Sequence, residues 1–174
     1  MAPHLSLVQR LPDRWRWRLL SALTDPVRAA RAMGVVVGED CRILSLAVSA
    51  EYELISIGDR VTISSDVLFV THDGAGWLVR DDEGHRHYWL ARIAIGSDVF
   101  VGARSVIMPG VRIGDRCIVA AGSVVTRSVP DGSIVGGNPA RLIGSFDEFS
   151  TKVRQTWPQD RVVSSAFKPP LTDR

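Results

Sequence analysis

The chain has 174 residues, 45% of them hydrophobic, enough for one domain of ordinary size with its own core and not for a disordered segment. Twenty-one Lys and Arg against nineteen Asp and Glu leave a formal charge of +2, too little for the broad cationic face of a nucleic-acid binder. No apolar run approaches the ~20 residues that span a bilayer, Leu5, Leu7 and Val8 are broken by Gln9 and Arg10 too soon for a signal peptide, and Cys41 and Cys117 lack a metal or redox spacing, which together predict a cytoplasmic protein.

In chain order, residues 1–34 read as an N-terminal helical segment. Arg14, Trp15, Arg16, Trp17 and Arg18 form a basic aromatic cluster. It invites a peripheral membrane-surface or nucleic-acid reading, but only a few charges are involved, surface anchoring usually takes more than one signal, and tryptophans packed on their own protein explain it more simply. Asp25 can cap a helix with Pro26 in its first position that runs through Val27, Ala30 and Met33 and stops at Gly34. That helix would plug the open end of the segment after it.

From residue 35 the chain repeats itself. Starting at Ile95 an aliphatic residue returns every sixth position, at Val101, Ile107, Ile113, Val119 and Val125, and glycine comes directly after it at Gly96, Gly102 and Gly114. Four positions after each aliphatic comes a small or branched residue: Val99, Ser105, Val111, Cys117, Ser123 and Val129. The hexad is also present upstream in Val37-Gly38 with Cys41, in Ile57-Gly58 with Val61, and in Ile63 with Val67 and Phe69. A six-residue period fits neither a helix nor a long alternating strand, but it suits a short strand, a corner and a new strand. Three hexads closing a triangular coil give an all-β parallel β-helix over residues 35–144, with the aliphatic column inside. Glycine after the aliphatic suits either an unusual corner conformation or close packing between coils. A polar excursion of about residues 75–92 interrupts the hexads. After the coil, Phe146, Phe149, Val153 and Trp157 mark one face of a helix that Pro158 ends, with a looser tail from Pro169 onward, so residues 145–174 form a C-terminal helix and tail.

The run from Ile95 to Thr126, the ending "GGNPARLI" and the segment "VTISSDVLFVTHDG" resemble the hexapeptide-repeat acyltransferases, in particular the branch that O-acetylates sugars of capsules, exopolysaccharides or lipopolysaccharides. The resemblance implies a left-handed coil, whereas the general rule for parallel crossovers favours the right hand. It also implies acetyl-CoA as acyl donor, a homotrimer, and a saccharide or nucleotide-linked sugar as acceptor.

Acetyl transfer to a hydroxyl needs a base, and an imidazole suits that task near pH 7. His72 lies in the segment that matches the family's histidine segment and is the expected catalytic base. Asp73 beside it can orient the imidazole or simply cap a turn, since adjacent residues seldom point the same way in a strand. Ala103 and Ala121 fall on the same face of successive coils, where small side chains leave a groove for a pantetheine arm. By resemblance Ala103, Ala121 and Thr126 match coenzyme A contacts, and Arg141 matches the basic residue at its phosphates, a role suited to a guanidinium fork. Trp77, Arg80 and Tyr88 of the excursion join Asp73 as acceptor-binding candidates. No coil cysteine or serine flanks His72 in the sequence, which favours direct transfer over a covalent intermediate. His85 and His87 suggest a metal, but zinc needs at least three protein ligands, so no metal is expected. The competing functions are a non-catalytic β-helical scaffold and a metal-dependent hydratase resembling carbonic anhydrase.

Overall fold

The structure, a computed structural model, describes residues 11–157, with residues 13 and 14 described by their backbone alone. Leu5, Leu7, Val8, the Pro158 stop and the Pro169-Pro170 tail lie outside the described residues. Helix α1 (Asp13–Leu23) precedes helix α2 (Pro26–Met33). Asp25 caps α2 by accepting hydrogen bonds from the amides of Val27 (2.8 Å) and Arg28 (3.3 Å), and Gly34 ends it at φ 108°. Ala30 and Met33 turn into the core at the head of the coil, where Trp17 and Leu20 of α1 pack against it. The tryptophans of the N-terminal cluster therefore divide: Trp17 packs inward, while Trp15 stays exposed with the Arg18 guanidinium 5.7 Å above its ring.

The chain then visits three sheets in rotation. The first holds the parallel strands Val36–Val37, Ile55–Ile57, Ile93–Ile95 and Arg112–Ile113. The second holds Arg42–Ile43, Thr62–Ile63, Phe100–Val101, Ile118–Val119 and Ser133–Gly137; the third holds Ala47–Val48, Leu68–Phe69, Val106–Ile107 and Val124–Val125. This is the path of a three-sided parallel coil. Ala140–Ser145 departs from it, turning back antiparallel on Ser133–Gly137 before helix α3 (Phe146–Thr156). No helix among the described residues is long and apolar enough to cross a membrane.

The hexad arithmetic accounts for the interior. Ile95, Val101, Ile107, Ile113, Val119 and Val125 are buried, as are Val99, Ser105, Val111, Cys117, Ser123 and Val129. The polar members of the second set satisfy corner carbonyls, as where Ser105 Oγ donates to the Ala120 oxygen at 3.1 Å. The left-handed backbone falls three residues after most of the aliphatics, at Asp40, Arg60, Asp66, Asp98, Arg104, Gly110, Arg116 and Gly122, and not at the glycine immediately following them. Close packing explains those glycines instead. A Cβ on Gly102 would sit 2.5 Å from the Ala121 nitrogen and 2.8 Å from the Val119 oxygen, both backbone atoms of the next coil. Gly102→Ala is accordingly expected to cost about 1–3 kcal/mol through overpacking. Thermal unfolding should show a midpoint several degrees lower, at about 2–4 °C per kcal/mol for a chain of this size.

The register between coils is uneven, and this positions the site. Between Ile93 and Val125 successive coils are offset by eighteen residues, as in Phe100 against Ile118 and Val106 against Val124, while the last coil is shorter, with Ile118 against Ile134 at an offset of sixteen. Leu68 pairs with Val106 across the excursion, and Ala47 pairs with Leu68 at an offset of 21. The excursion is rooted in the coil by antiparallel pairing of His72 with Leu90 and of Asp73 with Trp89.

Candidate active site

His72 leaves the third sheet just after Leu68–Phe69. Continuing the offset that pairs Val48 with Phe69 brings Glu51 of the preceding coil opposite His72. The contact is made: His72 Nδ1 lies 3.1 Å from Glu51 Oε2. The same carboxylate oxygen accepts the Thr71 hydroxyl at 2.5 Å. Burial raises the Glu51 pKa, but the hydrogen bonds from Thr71 and His72 outweigh it and hold the carboxyl below the ordinary glutamate range. Glu51 is thus a carboxylate at neutral pH, and the Nδ1 proton it attracts leaves the Nε2 lone pair of a neutral ring to accept a proton. The Tyr88 ring packs over the imidazole at 5.2 Å between centroids, tilted by 31°.

A serine is also present, though chain order does not suggest one. Ser49 Oγ lies 3.5 Å from His72 Nδ1, but it is 2.8 Å from Thr71 Oγ1 and accepts the Thr71 amide at 3.0 Å. It therefore stands on the Nδ1 side, where the carboxylate is nearer, and braces Thr71. Neither cysteine offers a thiolate. Burial pushes both thiols up, and Cys117 is fully enclosed while Cys41 Sγ donates to the Gly58 oxygen at 3.0 Å.

The excursion residues divide. Asp73 Oδ1 accepts the Ala75 amide at 2.8 Å, closing the turn that leads into the 3-10 segment Ala75–Leu78, while it is Glu51 that bonds the His72 ring. Arg80 donates to the Gly84 carbonyl at 2.8 Å within its own loop. Trp77 is covered by the Arg86 guanidinium, 4.8 Å from its ring centre. Of the four acceptor candidates, Tyr88 is the one whose ring contact with His72 is established. His85 pairs with Asp81 at 3.2 Å, and among the described residues no group of three or more His, Cys, Asp or Glu could hold a metal.

The donor candidates lie elsewhere on the coil. Ala103 and Ala121 sit at the corner between the second and third sheets, where the Gly122 amide bonds to the Ala103 carbonyl at 2.8 Å. His72 and Thr126 sit at the opposite corner, between the third sheet and the first. Within one chain, then, the third sheet separates His72 from the two alanines. Arg141 lies on the reversing strand at the C-terminal end, where it and Arg127 line a cavity of about 240 Å³. Nothing in the sequence pattern singles out Arg127, because the antiparallel return that places it beside Arg141 carries no hexad signal.

A three-sided coil of hexads carrying a carboxylate-bound histidine at one corner has the architecture of a hexapeptide-repeat protein. Residues 92–127 match the family described as the hexapeptide repeat of succinyl-transferase. Protein CapG of Staphylococcus aureus is 49% identical over 131 residues, covering 71% of this chain and 73% of CapG. The hexapeptide-repeat containing acetyltransferase VCA0836 of Vibrio cholerae shares the fold, with TM-score 0.61 at 23% identity over 83% of this chain and 94% of that one. Its complex with acetyl coenzyme A aligns at 26% identity and TM-score 0.51 over 82% and 84% of the two chains. The polySia-specific acetyltransferase NeuO is 30% identical with TM-score 0.54, over 64% of this chain and 52% of NeuO, so this chain spans about half of it. The chain belongs to the hexapeptide-repeat acyltransferase family.

Proposed function

We propose that this chain is a left-handed β-helical O-acetyltransferase that moves an acetyl group from acetyl-CoA to a hydroxyl of a saccharide or nucleotide-linked sugar, with His72 as general base. The observation that carries the reading is the Glu51–His72 hydrogen bond. It orients the imidazole and favours the tautomer whose Nε2 can accept a proton. The acetyl-CoA complex of the Vibrio cholerae relative supports the donor, and the name of NeuO supports a saccharide acceptor.

In the reaction the acceptor oxygen attacks the thioester carbonyl while Nε2 takes its proton. The tetrahedral intermediate collapses with loss of the C–S bond, and the imidazolium returns the proton to the departing sulfur. Glu51 stabilises the transient positive ring. The bracing of Ser49 and the raised pKa of both thiols support direct transfer without an acyl-enzyme. Ala103 and Ala121 border the pantetheine, Thr126 lies further along it, and Arg141 meets the phosphates together with Arg127.

Because His72 and the two alanines occupy different corners of one chain, the complete site is assembled between chains of a homotrimer. Three coils around a three-fold axis supply the concave groove that a single flat-sided column lacks. Purified protein should release thiol from acetyl-CoA in the presence of a suitable sugar from a saccharide panel, and should do so equally with chelator. No transfer and no coenzyme A binding would leave a scaffold; loss of activity on chelation would leave a metal enzyme.

Glu51→Gln keeps the size but removes the charge. It is expected to lower kcat at least about tenfold, as when an imidazole loses the carboxylate that fixes its tautomer, with the KM values for both substrates retained. Its effect on stability has a defined sign. With its folded pKa held down, Glu51 contributes stability that is full above the unfolded value near ~4.3 and is lost as pH falls through the lower folded value. Urea unfolding from pH 7 to pH 3 should therefore show a shallower acid loss for Glu51→Gln than for the wild type.

A further inference from the structure

We propose that the cavity at the head of the coil, between α1 and the first coil, is a saccharide subsite holding the sugar unit next to the one that is acetylated. The inference rests on the saccharide acceptor proposed for His72. The cavity measures about 570 Å³ and is lined by Pro12 and Trp17 of the N-terminal segment and by Leu46, Ala47, Val48, Ser49 and Tyr52 of the first coil. That size lies within the range of small-molecule sites, roughly 300–1,000 Å³.

Three observations select its occupant. The first is continuity with the catalytic group: Ser49 lines the cavity, and its hydroxyl lies 2.8 Å from Thr71 Oγ1 and 3.5 Å from His72 Nδ1. A sugar there lies one side chain from the imidazole on its Nδ1 side, so the unit joined to it extends past the ring to Nε2. The second is chemistry. Among the described residues the lining has no Asp, Glu, Lys or Arg, which suits a neutral ligand better than a phosphate or a carboxylate. Trp17 supplies an aromatic wall for the C–H face of a pyranose. Ser49 supplies a hydroxyl, and Ala47–Val48 is the end strand of its sheet, with no strand neighbour on one backbone edge among the described residues. An aromatic face beside polar edges matches a sugar ring, which is apolar on its faces and hydroxylated around its rim. The third is the state of the excursion. Arg80 and Trp77 are held by contacts within that loop, so the wider acceptor contact falls to the other side of His72.

The test compares nitrophenyl monosaccharide and disaccharide glycosides as acceptors at saturating acetyl-CoA. Ala47→Trp fills the cavity from an exposed position outside the core, and Trp17→Ala removes the aromatic wall; thermal melts verify that each variant folds. The wild type should show a lower KM for disaccharides than for monosaccharides. Ala47→Trp should raise the disaccharide KM by about tenfold, equivalent to about 1.4 kcal/mol, with the acetyl-CoA KM retained. Saturation-transfer NMR with the same disaccharides and no donor reads binding separately and should lose its signal in Ala47→Trp. Binding that is lost in the variant while no acetyl moves in the wild type would keep the subsite and overturn the transferase reading. Disaccharide binding or preference that survives Ala47→Trp, or no preference and no binding in the wild type, would overturn the subsite.

Discussion

Replacing His72 by alanine is expected to lower acetyl transfer at least ~10²-fold, the scale of losing a positioned general base. Coenzyme A affinity should be nearly unchanged, because the donor contacts proposed at Ala103 and Ala121 lie at another corner of the coil. The split between kcat and donor binding separates a base from a structural histidine, whose loss would disturb both. The fold should tolerate the change. His72 is half-buried and outside the interior columns, and its partners Glu51, Thr71 and Ser49 still bond among themselves. Single-turnover thiol release with a competent acceptor and calorimetric titration of coenzyme A would provide the two readouts. Equal losses in both would assign His72 to structure.

Ala121→Trp should abolish donor binding while the coil stays folded. Residue 121 is exposed at the corner, outside the core, so an indole has room in solvent but projects into the groove assigned to the pantetheine. A variant that bound coenzyme A as tightly as wild type would place the groove elsewhere. The same variant tests assembly. In a shared site, an Ala121→Trp chain still supplies His72, and a His72→Ala chain still supplies an open donor wall. Random exchange between the two inactive proteins should leave about a quarter of the grooves with both parts intact, since each groove takes one wall from each neighbour. Recovery near that level after verified subunit exchange is the expected result. Continued inactivity, or a fully active monomer, would refute the shared site.

Much of this architecture is legible in the sequence because the interior of a repeating coil is a local pattern. Ile95, Val101 and Ile107 return every sixth position because each strand and corner together use six residues, and burial then requires an aliphatic at the same phase. The Asp25 cap, Pro26 and Gly34 delimit α2 for an equally local reason, since each satisfies or ends hydrogen bonds within one turn. Glycines at positions such as Gly102 are recognisable from the hexad, but their reason is not: the backbone of the next coil excludes a Cβ.

By itself, then, the sequence determined the hexad, the buried columns, the position of the excursion and the segment holding His72. Tertiary structure decided what surrounds that histidine. An eighteen-residue period places Leu54 opposite His72, whereas the first coil is longer and its offset of 21 places Glu51 there. The turn at Tyr52–Leu54 that lengthens it has no hexad to announce it. The same holds for Ser49, for Arg127 beside Arg141 and for the cavity under Trp17. Each is a meeting of side chains distant in the chain, set by how coils of unequal length stack and how the ends fold back, and no local periodicity encodes that distance.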